Sequence, residues 1–204
     1  MDKIEIKADR LLLVEGNDDQ NFFQKLIEDI GLDGIQIISM KGKENFGIPN
    51  LKSIINTPGF REVKSLGIVL DADENADDTF SSICTVLREC GLPVPAQPME
   101  IISASLKVGA LVIPPGATRG EIEDLCLAAI KEYNELECIE NYFSCLKEKL
   151  PLDKFPKDLS KAKIQAFLAS REESVPHLGV AAQKGFFPLD HNIFEDIKIF
   201  LRSL

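Results

Sequence analysis

Two short acidic motifs each end an apolar run. Leu11-Leu12-Leu13-Val14 leads into Glu15-Gly16, and Gly67-Ile68-Val69-Leu70 leads into Asp71-Ala72-Asp73. In open α/β sheets functional residues gather at the carboxyl ends of strands, so both groups are expected at one sheet edge. Carboxylates brought together repel one another unless a cation joins them. Mg²⁺ or Mn²⁺ suits such a cluster, being a hard ion that takes oxygen ligands and keeps waters for a phosphate substrate. Alternate residues of an extended chain share a side, so Asp71 and Asp73 can face together while Ala72 turns away. Gly16 permits a tight turn just after the acid. The structural alternative for either motif is a helix cap or a solvated loop acid. Their joint occurrence, each after an apolar run, favours a metal site in which Glu15, Asp71 and Asp73 are ligands and catalytic candidates.

The elements that must position these residues follow from periodicity. Strands are expected at residues 4–6 and 11–14, at 35–39 and at 66–70; the last is nearly all apolar, as buried parallel strands are. Helices are expected from residue 17 or 18 to about 30, at 49–55 and at 79–90, with Gly31, Pro58 and Gly91 as stops. Residues 100–106 and 109–113 could pair as strands. A long helix is expected from 121 to about 145, with a break near Glu137, and further helices at 159–170 and 191–204. This alternation predicts a mostly parallel sheet with helices on both faces over residues 1–130, and a mainly helical extension over 131–204 packed on that core.

Other chemistries find less support. The five cysteines form no Cys-x-x-Cys pair, which argues against a structural zinc site and for reduced, mostly buried thiols. Lys41-Gly42-Lys43-Glu44-Asn45 lacks the spacing of a P-loop, although Lys41 or Lys43 could reach a phosphate. His177 and His191 stand apart from any motif serine or cysteine. The formal charge of −10 argues against a surface that grips nucleic acid everywhere, though not against an acidic site that works once metal neutralises it. No apolar run approaches the roughly 20 residues that span a bilayer, and the Met-Asp-Lys-Ile-Glu start lacks a signal peptide's pattern. A cytoplasmic protein without membrane contact is expected.

The order of Glu15 and Asp71-x-Asp73, each after an apolar strand, resembles the Toprim domain of topoisomerases, primases and several nucleases, over about residues 10–130. It resembles most closely the overcoming-lysogenization-defect nucleases and a group of small stand-alone Toprim-like proteins of unassigned function. The resemblance implies a Rossmann-like Toprim α/β fold and a wider ligand set. Asp19 occupies the place of the second acid in the first motif. Gly120-Glu121-Ile122-Glu123-Asp124 looks like a later acidic element, with Glu123 as the matching acid. Lys163, with Lys161 close behind, matches the lysine that steadies charge during phosphodiester cleavage. Residues 179–185 also look like the stand-alone group. Each has a structural alternative: Asp19, Glu121, Glu123 and Asp124 as first-turn acids favoured by a helix dipole, and the lysines as residues of a solvated face.

The reading that follows is a Mg²⁺- or Mn²⁺-dependent, nuclease-like phosphodiesterase. Glu15, Asp19, Asp71, Asp73 and Glu123 would supply ligands for one or two metals, one activating a water and a second stabilising the leaving oxygen, and Lys163 would offset developing charge. DNA or RNA, a separate ATPase subunit and a second copy of the chain are the partners it envisages; the ATPase rests on analogy alone. A different class remains open: a non-catalytic metal- or nucleotide-binding module that regulates a partner ATPase or nucleic-acid enzyme. So does a phosphotransfer enzyme that uses Asp71 as nucleophile, although an acid on the first strand fits Toprim better.

Overall fold

A computed structural model describes residues 4–204. The first residues of the Met-Asp-Lys start therefore lie outside the described residues. Among the described residues, five strands form one sheet: β1 (Arg10–Val14), β2 (Ile35–Ser39), β3 (Ser65–Asp71), β4 (Ile101–Ser103) and β5 (Lys107–Ile113), in the order β2-β1-β3-β5-β4. All neighbours run parallel except β4, which pairs antiparallel with β5 at the edge. The helices are α1 (Asn17–Asp29), α2 (Ile48–Ile55), α3 (Ala76–Glu89), α4 (Ile122–Ala129), α5 (Asn134–Lys149), α6 (Leu159–Ala169), α7 (Leu178–Gln183) and α8 (Glu195–Ser203).

Alternation along the strands divides the core into two. Leu12, Val14, Val69 and Leu111 point to one side and are covered by α1 and by α4 through α8. Leu11, Leu13, Ile68, Leu70, Ala110 and Val112 point to the other and are covered by α2 and α3. Both faces of the middle strands are thus dry, which is why β1 and β3 read as unbroken apolar runs rather than alternating ones.

The C-terminal helices share a single buried cluster with α1 and the sheet. Gly67 on β3 and Gly109 on β5 are register partners. A Cβ on Gly67 would lie 2.6 Å from Leu204 Cδ1, and one on Gly109 would lie 3.0 Å from Phe200 Cε2. Bare backbone at these two points lets the end of α8 rest directly on the sheet. In the same layer, Gly179 of α7 lies where a Cβ would meet the Asp18 carbonyl oxygen of α1 at 2.4 Å.

Three sequence expectations change. Residues 4–6 do not form a strand. The Gln36 side chain satisfies this segment instead, accepting from Lys7 N and donating to Glu5 O, both at 2.7 Å. The helix expected over 121–145 divides at 130–133, where buried Ile130 closes α4, and α5 then turns Leu136, Ile139 and Phe143 inward as a separate face. That rotation leaves Cys138 and Cys145 exposed rather than buried. Residues 178–183, given no element by periodicity, form the short helix α7. Among the described residues no helix is long and apolar enough to cross a membrane.

Candidate metal centre

β1 and β3 are adjacent and parallel, with Val14 opposite Val69. Glu15 and Asp71 therefore leave neighbouring strands within a residue of the same level, at the carboxyl edge of the sheet. Asp71 is the last residue of β3 and pairs with Ile113 on β5, beyond which the chain leads to Glu121. Strand order thus gathers three acidic segments at one edge. Ala72 is buried in the α2/α3 side of the core, while Asp71 and Asp73 are partly exposed.

Two of these segments begin helices in the same way. Asp19, in the first turn of α1, accepts a hydrogen bond from Gly16 N at 2.7 Å. Asp124, in the first turn of α4, accepts one from Glu121 N at 2.8 Å. Each carboxylate reaches back to an amide the helix leaves unpaired. Asp124 also accepts from the Ser160 hydroxyl, so both of its oxygens are engaged.

The loop carrying Asp73 is fastened to the loop carrying Glu121. Ala72 N donates to Ile113 O at 2.7 Å, Asp73 and Gly120 exchange two backbone bonds, and Ala76 N donates to Thr118 O at 2.8 Å. Asp73 has a left-handed φ of 49°, a conformation that aspartate tolerates better than most side chains.

Burial and mutual repulsion raise the proton affinity of this group. Glu15 is pushed up to about 7, first by burial and then by Asp73 and Asp19, with Lys43 opposing. Asp71 is held well above the usual carboxylate range by burial, then by Asp19, Glu15, Glu123 and Glu121. Glu123, almost inaccessible, is pushed up to about 7 by burial against the pull of Lys161. Burial also raises Asp19 and Glu121, opposed by the Gly16 amide and by Lys161 respectively.

Lys161 and Lys43 reach these acids. Lys161 Nζ lies 3.3 Å from Glu121 Oε2, 3.7 Å from Glu123 Oε1 and 3.5 Å from Asp158 Oδ2. Burial works against its charge, but these carboxylates outweigh that and raise its pKa. Lys43, just after β2, pairs with Asp73 and donates to Asp71 O at 3.1 Å. Lys163 is not brought to this group. Its Nζ pairs with Glu140 of α5 at 2.6 Å. The sequence singles out Lys43, with Lys41, only as able to reach a phosphate and Glu121 only as a first-turn residue; the contacts of Lys43 with Asp73 and Asp71 come from the fold. The signal for Lys43 was its place just after a strand adjacent to β1.

The donors here are all oxygens, the chemistry of a hard divalent ion. Among the described residues, Glu15 Oε2 is buried without a hydrogen-bond partner, which leaves one acceptor unsatisfied beside the half-buried Asp71. Among the described residues, no three His, Cys, Asp or Glu side chains are arranged to close on one ion. Mg²⁺ does not require that, since it commonly takes one or two protein carboxylates and fills its shell with water and substrate oxygens. The residues present fit such an ion.

The family description "Protein of unknown function (DUF3226)" matches residues 9–204. No curated protein matches the chain. The crystal structure of hypothetical protein PH0156 from Pyrococcus horikoshii OT3 is 22% identical, with 95% of this chain and 94% of that one covered and a TM-score of 0.62. The C-terminal region of the OLD protein of Xanthomonas campestris pv. campestris is 16% identical, with 98% and 100% covered and a TM-score of 0.44. At 22% identity the likeness to PH0156 is one of fold.

Proposed function

The chain belongs to the DUF3226 family, and from its carboxylate cluster we propose that it is a Toprim-type, Mg²⁺- or Mn²⁺-dependent phosphodiesterase acting on DNA or RNA in the cytoplasm. The observation that carries this reading is the buried, unpartnered Glu15 Oε2 beside Asp71 at the carboxyl edge of a parallel sheet. Glu15 and Asp71 would hold the ion, with Asp19 and Glu123 completing its acidic surroundings. When bound, the ion would supply positive charge at the scissile phosphate and lower the pKa of a coordinated water. Asp124 and Asp19 fix the helix starts on which Glu121, Glu123 and Glu15 depend. Lys161, rather than Lys163, stands where it can offset negative charge on the phosphate.

A second reading is a metal-binding module that regulates a partner ATPase or nucleic-acid enzyme without cleaving. The net charge of −10 favours it, since phosphate-gripping surfaces are basic. Incubation of the purified protein with plasmid and RNA in Mg²⁺ or Mn²⁺, beside Asp71→Asn, separates the two. Cleavage that disappears in Asp71→Asn supports the enzyme. Cleavage of equal rate in both marks a contaminant and removes support for the phosphodiesterase reading.

A further inference from the structure

The acidic edge has a satisfied half and an unsatisfied half. In the satisfied half Lys43 Nζ has three acceptors for its three protons: the Asp73 carboxylate, the Asp71 carbonyl at 3.1 Å and the Thr79 hydroxyl at 3.0 Å. Thr79 is buried and lies within reach of Ala72 O at 3.3 Å, so its proton can go there and its lone pair can face the ammonium. The turn that delivers Lys43 is tied to the same edge, because Gly42 N donates to Glu15 O at 2.9 Å. A carboxylate, a carbonyl and a hydroxyl are the hard-oxygen set that a divalent ion would use. Here they hold a partly exposed ammonium. In the other half, Glu15 Oε2 is buried with no partner.

From this division we infer that Lys43 takes the place of a second metal ion, so that the chain binds one divalent ion, at Glu15 and Asp71, and carries its other cation covalently. The inference rests on the metal-site reading proposed above. Asp73 serves the Lys43 side and is not a ligand of the bound ion. A second divalent ion would need the same oxygens and would meet the ammonium's charge at contact distance.

The test is a count. Metal-stripped full-length protein is titrated with MnCl₂, and bound Mn²⁺ is read from the loss of the free-ion paramagnetic resonance signal and checked by calorimetry. One ion per chain is expected for the wild type, none for Glu15→Gln, and two for Lys43→Met, which frees the Asp73 oxygens without shortening the side chain much. Lys43→Gln replaces Lys43→Met if circular dichroism shows that variant unfolded. Two ions in the wild type would overturn this inference while leaving the metal site standing. One ion in both wild type and folded Lys43 variants would overturn it too. No Mn²⁺ bound by the wild type would overturn both this inference and the reading on which it rests.

Discussion

Asp73 and Gly120 lie on separate loops yet exchange two backbone hydrogen bonds, Asp73 N to Gly120 O at 2.9 Å and Gly120 N to Asp73 O at 2.8 Å. This clasp fixes the Asp-x-Asp loop against the loop that leads to Glu121. It depends on Gly120, whose φ of 128° suits glycine alone and whose absent Cβ would lie 2.7 Å from Asp124 Oδ2 and 3.0 Å from Pro114 Cδ.

Gly120→Ala is therefore expected to cost about 2 kcal/mol or more of stability, from backbone strain and crowding together. The crowding falls on Asp124, so the start of α4 and with it Glu121 and Glu123 should shift. Urea unfolding measures the first effect and Mn²⁺ titration the second. A variant as stable as the wild type, with unchanged Mn²⁺ affinity, would show that the clasp does not organise the edge.

The two lysines of α6 should separate cleanly. Lys163 pairs with half-exposed Glu140 on α5, so Lys163→Ala removes a contact worth under about 1 kcal/mol and leaves the acidic edge intact. Lys161→Ala removes the cation facing Glu121 and Glu123. Phosphodiester cleavage should fall roughly 100-fold in Lys161→Ala and stay near wild type in Lys163→Ala. The opposite pattern would return the role to Lys163.

That pair also shows where the sequence ceases to inform. The apolar runs before Glu15 and Asp71 announce buried parallel strands, and their order is enough to place both acids at one edge. Residues 161 and 163 lie about 200° apart around a helix, so choosing between them requires knowing which face of α6 meets α4, a tertiary fact. The contact of Lys43 with Asp73 is hidden for a similar reason. Lys43 enters the site because β2 lies next to β1, and adjacency of strands is a matter of sheet order rather than local pattern. The division of α4 from α5 likewise follows from where Ile130 is buried, not from a helix-breaking residue.

Stability and site should be separable at the sheet centre. A methyl group at Gly67 would meet Leu204 Cδ1 at 2.6 Å and Leu12 Cδ1 at 2.9 Å. Gly67→Ala is expected to cost about 1–3 kcal/mol through overpacking, while the Mn²⁺ count stays unchanged. Since Leu204 supplies two of the three nearest atoms, Gly67→Ala combined with Leu204→Ala should destabilise less than the sum of the single changes, by roughly 0.5–3 kcal/mol. Strict additivity in urea unfolding would mean that α8 does not rest on the sheet at this point.

The acidic edge also predicts how pH and metal interact. Glu15 and Glu123 are each pushed up to about 7 in the folded chain, mainly by burial, and burial raises Asp71 as well. Charges of Asp73, Asp19 and Glu121 act on Glu15 against Lys43, and Lys161 acts on Glu123 against Glu121 and Asp158. For an acid with a raised folded pKa, the native state binds the proton more tightly than the unfolded chain does. Its contribution to stability is therefore full below the unfolded value, near 4.5 for a glutamate, and is lost as pH rises through about 7. In chelator, the unfolding temperature should thus fall between pH 5 and 8. A divalent ion binds the deprotonated form and displaces protons, so Mg²⁺ should restore more stability at pH 8 than at pH 5, and calorimetry in two buffers should record proton release on Mn²⁺ binding at pH 6.5. Stability that rises from pH 5 to 8 in chelator, or Mn²⁺ binding without proton release, would mean that these carboxyls are not the groups the ion engages.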